Sequence, residues 1–263
     1  MIYAKKSLGQ NFLIDKNIIK KIVKLINLKN KNVIEIGPGK GALTDEILKK
    51  DPKSLIIIEK DNFLADQLKE KYRNIKSLKV YNSDILNIDL EKKISNNSEI
   101  FGNLPYNISS QILIKFLKFE KWPPRFNNLI FMFQKELGDK ISCSFPSRNY
   151  GRLTIISKYR LKILQKFAVS PNCFFPKPKV ISTVLHLKPN NKKYVKLSSI
   201  NNLEKITRIL FSNKRKMINK NIKKIFKDIN KVKQLKNIDL SSRPSEISPA
   251  KFYELAKLFE KTQ

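Results

Sequence analysis

Short apolar runs recur along the first half of the chain: residues 32–37 (NVIEIG), 54–60 (SLIIIEK), 78–84 (LKVYNSD), 99–103 (EIFGN) and 128–133 (NLIFMF). Between them, residues 41–50 and 62–72 carry apolar positions at helical spacing. Runs of this length predict strands, and their alternation with amphipathic segments predicts a mostly parallel, doubly wound α/β sheet. Residues 161–169 and 180–188 alternate with a period of two and are expected as antiparallel additions. The pattern changes at Pro189-Asn190-Asn191-Lys192-Lys193, which is polar throughout. Beyond it, Leu203/Ile206/Ile209/Leu210 and Phe252/Leu255/Ala256/Phe259 form two helical stripes. Ser248-Pro249 reads as an N-cap followed by proline in the first turn. The expected domains are residues 1–189 and a small all-helical domain over residues 190–263.

Composition adds a charge argument. The 54 Lys and Arg against 22 Asp and Glu give +32 over 263 residues. Residues 190–263 alone hold 19 basic and 6 acidic side chains, a balance of 19 − 6 = +13. Such an excess attracts polyanions and predicts salt-dependent binding to phosphate backbones. A Lys-, Asn- and Ile-rich chain also follows from AT-rich coding, so charge supports a nucleic-acid partner without establishing it. Two cysteines, Cys143 and Cys173, without a C-x-x-C pair, and one histidine, His186, are too few for zinc or Ser-His-Asp chemistry, and no metal is expected. The cysteines read as reduced core residues, and His186 as a strand residue that faces water or finds a core partner. No apolar run approaches the roughly 20 residues that span a bilayer, and the opening MIYAKKSLGQNFL has no signal-peptide core. The expectation is a cytoplasmic, monomeric protein.

Candidate chemistry begins at Glu35-Ile36-Gly37-Pro38-Gly39-Lys40-Gly41, which closes one predicted strand and opens a helix. Glycines there let backbone turn tightly and approach a ligand. Glu59 ends the next strand and Asp84 the third, so two acids meet beyond the carboxyl edge of the sheet. Gly37, Gly39 and Gly41 are too closely spaced for G-x-G-x-x-G, which disfavours a nicotinamide dinucleotide. No G-x-x-x-x-G-K-[ST] occurs in this segment. Two carboxylates with no phosphate-binding base suit an adenosine without phosphates, S-adenosylmethionine.

The fourth strand runs into Gly102-Asn103-Leu104-Pro105-Tyr106-Asn107-Ile108-Ser109. An adenine amine is a poor nucleophile because its lone pair is delocalised into the ring. Acceptors on its two N–H groups favour a pyramidal nitrogen and stabilise the charge that develops. The Asn103 side-chain oxygen and the Leu104 carbonyl can supply them. Pro105 fixes the backbone and adds no competing N–H, and Tyr106 offers a face on which an extruded base stacks. Phe174, in Phe174-Phe175-Pro176-Lys177-Pro178-Lys179-Val180, is the candidate for the base's other face.

These motifs together resemble the ribosomal RNA adenine N6,N6-dimethyltransferases, the KsgA-like enzymes. The resemblance also takes in Leu8-Gly9-Gln10-Asn11-Phe12-Leu13, Tyr150-Gly151-Arg152-Leu153, Phe174-x-Pro176-x-Pro178-x-Val180-x-Ser182, Phe211-x-x-Lys214-Arg215-Lys216 and Arg243-x-x-Glu246-Ile247-Ser248. It implies a class I (Rossmann-like) S-adenosylmethionine-dependent methyltransferase sheet with a helical C-terminal domain. It implies that Asn11 and Leu13 help enclose the cofactor, with Gly37 and Gly39 under it, Glu59 on the ribose, Asp84 on the adenine and Asn103 touching both substrates. Arg152, Lys214, Arg215 and Lys216 become the expected RNA contacts. The implied reaction places four methyl groups on two adjacent adenosines in a hairpin loop near the 3′ end of small-subunit rRNA, within an assembling subunit. Leu8 departs from the aromatic often found before Gly9, and the tail prefers Lys to Arg, which favours fewer bidentate phosphate contacts. The related large-subunit methyltransferases of macrolide resistance share a similar Asn-x-Pro-Tyr. The Gly9-Gln10-Asn11-Phe12 opening and Lys214-Arg215-Lys216 favour the small-subunit enzymes. A non-catalytic RNA-binding factor on this scaffold would have lost Asn103–Tyr106 or Glu59, and both are intact.

Overall fold

The computed structural model describes residues 5, 8–191, 195–235 and 238–262. Lys192 and Lys193 of the expected boundary, and the first four residues, lie outside them. The elements run β1 (Phe12–Leu13), α1 (Lys16–Val23), β2 (Asn32–Ile36), α2 (Ala42–Leu48), β3 (Ser54–Glu59), α3 (Asn62–Lys71), β4 (Leu78–Asn82), α4 (Leu90–Lys93), β5 (Ser98–Asn103), α5 (Ser109–Leu117), β6 (Phe126–Gln134), α6 (Lys135–Ser142) and α7 (Arg152–Arg160). They continue with β7 (Leu161–Val169), β8 (Phe174–Phe175), β9 (Ser182–Pro189), α8 (Ile200–Leu210), α9 (Asn219–Lys223), α10 (Ile229–Lys233) and α11 (Pro249–Lys261).

The seven-stranded sheet has the order β4-β3-β2-β5-β6-β9-β7. The first five strands pair in parallel, and β9 joins β6 antiparallel. The chain winds from β2 outward through β3 and β4, then returns to lay β5 on the other side of β2. The carboxyl ends of β2 and β5 therefore flank a topological switch point, where open α/β sheets bind ligands. One face of the sheet packs Val33, Leu55, Ile57, Phe101 and Ile130 with residues of α1 and α2. Phe116, Phe126, Phe131 and Phe133 meet edge-on or tilted in a second buried group. Burying each such ring contributes about 1.5–3 kcal/mol. A separate ribbon pairs Phe12 with Phe175 and Leu13 with Phe174, antiparallel. Nothing in two-residue strands can be read from periodicity.

The chain divides into two compact units. The first takes the described parts of Met1–Phe119 with Pro123–Gly138 and Ile163–Pro189; the second takes Glu120–Trp122, Asp139–Lys162 and the described parts of Asn190–Gln263. The second unit thus also takes in two stretches that precede Asn190 in the chain. The reason is apolar: Tyr150, Ile155 and Tyr159 are buried in one cluster with Leu203, Phe252 and Leu255. The Tyr150 hydroxyl donates to the Ile247 carbonyl at 2.8 Å, and Phe211 stacks on Phe252. Pro249 opens α11 after the Ser248 N-cap, as its sequence predicts. His186 is buried, its Nε2 2.8 Å from the Asn128 side-chain oxygen, so the core-partner alternative holds. Cys143 and Cys173 are free thiols.

Candidate active site

A cavity of about 370 Å³ opens at the switch point, lined by residues 8–14 and by the ends of β2, β3, β4 and β5. Its floor is the loop after β2. Gly39 sits at φ +57° with the Phe12 ring against it, 2.8 Å from where a Cβ would stand; Gly41, at φ +81°, caps α2. Both conformations belong to glycine, and a side chain at position 39 would displace the aromatic wall. Beneath the loop, Glu35 is fully buried and accepts from the Thr44 hydroxyl at 2.7 Å. Burial pushes its carboxyl up to about 8, so it is neutral at pH 7. Tyr72 braces the loop from behind, its hydroxyl 3.2 Å from the Gly41 carbonyl and 2.8 Å from an Asp45 oxygen.

Glu59 does two jobs. Its Oε2 accepts from the Gly39 amide at 3.2 Å and its Oε1 from the Asp61 amide at 2.9 Å. Burial raises its carboxyl above the ordinary range, while those amides pull the other way. Asp84 lies just past β4. Its Oδ2 is 2.7 Å from the Lys60 ammonium and its Oδ1 accepts from the Leu86 amide, which hold it below the usual carboxylate range. Two basic residues, Lys40 and Lys60, also line the cavity. Lys60 is neutralised by Asp84, and Lys40 sits over the Phe12 ring at 4.9 Å. The preference for an uncharged adenosine over a phosphate survives on the cradle's two acids.

The N-terminal segment forms the wall. Gln10 donates to Asp61 at 3.1 Å, which also pairs with Lys5, tying the segment to the start of α3. The Asn103 amide nitrogen donates to the Asn11 carbonyl at 2.9 Å. That bond decides the amide's orientation: with its nitrogen spent on the wall, Asn103 Oδ1 remains the acceptor. Asn103 ends β5, and Gly102 before it makes room for Leu104, whose Cδ2 would lie 2.5 Å from a Cβ there. Pro105 and Tyr106 then turn the chain into α5, with the Ser109 hydroxyl on the Tyr106 carbonyl at 3.2 Å. The Tyr106 hydroxyl is 2.5 Å from Ser182 Oγ on β9, which clamps the ring.

Asn11, Leu13, Gly37, Gly39, Glu59, Asp84 and Asn103 through Tyr106 thus meet at one cavity, although they are scattered over 96 positions of sequence (106 − 11 = 95 steps). Phe174 does not line it. Its ring is 3% exposed, packed in the core with Leu13 and Cys173, while its neighbour Phe175 is 60% exposed. Arg152, half-buried at the start of α7, and the exposed Lys214, Arg215 and Lys216 belong to the second unit. Lys60 was not singled out by sequence, and Phe12 only as part of the N-terminal motif. Ser182 carried a signal only as the last position of the Pro-x-Pro motif.

The ribosomal RNA adenine dimethylase family profile matches residues 1–261. The chain belongs to that family. It is therefore an adenine methyltransferase acting on ribosomal RNA. It is 44% identical over 98% of both chains to the Ribosomal RNA small subunit methyltransferase A of Pelagibacter ubique, and 38% identical over 96% of both to that of Francisella tularensis subsp. novicida. A dimethyladenosine transferase from Plasmodium falciparum superposes with a TM-score of 0.77 at 26% identity, covering 95% of this chain and 98% of that one. The 23S rRNA methyltransferase ErmE superposes at 0.69 with 22% identity, over 96% of this chain and 99% of that one, and shares the fold. The α/β fold expected from the strand and helix alternation is that of these methyltransferases. Among the described residues no helix is long and apolar enough to cross a membrane.

Proposed function

We propose that the enzyme transfers methyl groups from S-adenosylmethionine to the N6 atoms of two adjacent adenosines in the 3′-terminal hairpin of small-subunit rRNA, during subunit assembly. The fit to the donor rests on the cradle. Glycines stand where a Cβ would collide with the wall, two acids sit at successive strand ends, and Asn103 stands between floor and lip. In this reading Gly37 and Gly39 lie under the methionine portion, Glu59 takes the ribose hydroxyls, Asp84 takes the adenine amine, and Asn11 and Leu13 close the wall. When bound, the donor supplies an electrophilic methyl on a sulfonium, so positioning does most of the work.

The residues of the chain do the rest. A flipped adenine stacks on Tyr106, worth about 1–3 kcal/mol, and Ser182 holds that ring in place. Asn103 Oδ1 and the Leu104 carbonyl accept the two N6–H groups, which localises the lone pair on nitrogen and stabilises the positive charge as the new N–C bond forms. Pro105 keeps the two acceptors in register. Arg152, Lys214, Arg215 and Lys216 contact the RNA backbone, so RNA affinity falls steeply with salt. The enzyme works as a cytoplasmic monomer on the assembling subunit and needs no metal.

The single observation that carries this is the Asn103 amide, pinned through its nitrogen to Asn11 so that its oxygen is the acceptor. Asn103→Ala is expected to cut methyl transfer by about 100-fold or more, the scale of losing one oriented polar group at a reacting centre. RNA affinity, read by filter binding, should stay within about threefold. Equal losses in both would make Asn103 a structural residue. Mass spectrometry of treated small and large subunits locates the product, and modification of the large subunit alone would overturn the substrate.

A further inference from the structure

Three of the large apolar side chains most exposed to solvent fall within one seven-residue stretch of the first unit: Phe175 at 60%, Val180 and Ile181. A fourth, Ile14, is held two residues before that stretch, its amide donating to the Cys173 carbonyl at 2.9 Å. Core formation would ordinarily claim these groups, and the neighbouring Phe174 shows that the core was within reach. The stretch is not a slack loop. At one end Phe175 pairs across the ribbon with Phe12, which lines the donor cavity. At the other, the Ile181 carbonyl accepts from the Lys135 amide, and Ser182 clamps the Tyr106 hydroxyl. Pro176 and Pro178 remove two backbone donors and fix two φ angles. Lys177 and Lys179 alternate with the prolines and are both exposed. The result is a fixed segment, anchored to both halves of the active site, that presents a ring, an apolar step and two cations.

That combination matches single-stranded nucleic acid, for which a protein offers aromatic faces to bases and cations to phosphates. We propose that residues 175–181 form a docking platform for the RNA strand beside the target adenosine. Phe175 stacks a base next to the flipped one, and Lys177 and Lys179 contact the phosphates that follow. The proposal rests on the methyltransferase reading above, and it assigns to Phe175 a role distinct from that of Tyr106: Tyr106 holds the base being methylated, Phe175 holds its neighbour. A platform of this kind explains how two adjacent adenosines could be presented in turn without release of the strand.

The test uses the full-length enzyme with unmethylated small subunits and with a labelled hairpin RNA. Phe175→Ala should raise the RNA KM about tenfold, the loss expected for one base stack, with little change in kcat. Calorimetric affinity for S-adenosylhomocysteine and the thermal midpoint should not move. Phe175→Trp should restore the KM, and Phe175→Leu should not. Lys177→Ala with Lys179→Ala should lower the slope of log K against log salt by about 1.4, two single-strand phosphate contacts. Three outcomes overturn the platform: an unchanged KM in Phe175→Ala, rescue by Leu, or a defect on whole subunits with none on the hairpin, which would mark a protein-docking face. A concentration-dependent change in mass abolished by Phe175→Ala would instead assign the face to a second copy of the chain, and also overturns it. If Asn103→Ala is inactive while Phe175→Ala is normal, the platform fails and the methyltransferase reading stands; if both are normal, that reading fails.

Discussion

On the donor side of the cavity the working groups are buried: Glu59 is held by the Gly39 and Asp61 amides, and Glu35 is sealed beneath the loop with the Thr44 hydroxyl. On the acceptor side they are half-exposed, and each is tied by its own side chain to a distant part of the chain: the Tyr106 hydroxyl to Ser182, and the Asn103 amide nitrogen to the Asn11 carbonyl. The two materials suit two partners. A small donor of constant shape is recognised best by a preorganised, dry cradle, where each hydrogen bond is worth more than in water. A base that must leave its stack and enter from solvent needs a face to land on, and stacking tolerates approach from a range of angles. The same contrast separates Phe174 from Phe175: adjacent residues, one committed to the core and one left in solvent.

The contrast can be broken by substitution, in order of effect on methyl transfer. Glu59→Ala removes two amide bonds to a carboxylate together with the proposed ribose acceptor. At about 1.5–3 kcal/mol per charged hydrogen bond, affinity for S-adenosylhomocysteine should fall about 100-fold by calorimetry, with RNA affinity unchanged. A parallel loss of RNA binding would show that the floor and lip are one structure. Tyr106→Ala should do the reverse, cutting kcat/KM for RNA about tenfold or more through the lost stack and leaving the donor affinity alone. Tyr106→Phe, which loses only the bond to Ser182, should recover most of it; failure to recover would give the hydroxyl a role in the chemistry.

Glu35→Gln should change turnover at pH 7 least of all, and its signature lies in stability. The carboxyl ionises near 4.5 in the unfolded chain and near 8 when folded. The folded state thus binds more protons in between. Its contribution to stability is complete below about pH 4.5 and is lost as pH rises to about 8. Denaturant titrations should show the wild type losing on the order of a few kcal/mol across that window, and the Gln variant losing much less. Equal slopes would mean that Glu35 is ionised under the loop.

Much of this architecture was legible along the chain. The five parallel strands begin and end within two residues of their expected bounds; the four inner ones were marked by apolar runs because a strand covered on both faces is continuously apolar, while edge strand β4 is mostly exposed. The acid that ends β3, the acid just past β4 and the Asn-x-Pro-Tyr that begins on the last residue of β5 were legible because their chemistry demands particular residue types at strand ends. Less was legible where a single neighbour decides the outcome. Val180 and Ile181 alternate like the strand that follows, yet β9 begins only at Ser182, after the chain has been pinned by Lys135. Phe174 and Phe175 are chemically identical; which ring faces the core depends on the register of a two-residue ribbon, and shifting it by one residue would exchange their faces. Lys60 carried no signal along the chain, and only folding set it against Asp84.

The sequence by itself determined the family, the α/β sheet and the reacting motif, since periodicity and reactive residue types are properties of the chain alone. Only the tertiary structure decided which end of the Asn103 amide is occupied, which phenylalanine meets solvent and which carboxyls carry protons. Each of those depends on groups brought together from distant positions, and neither burial nor a hydrogen-bond partner exists before the chain has folded.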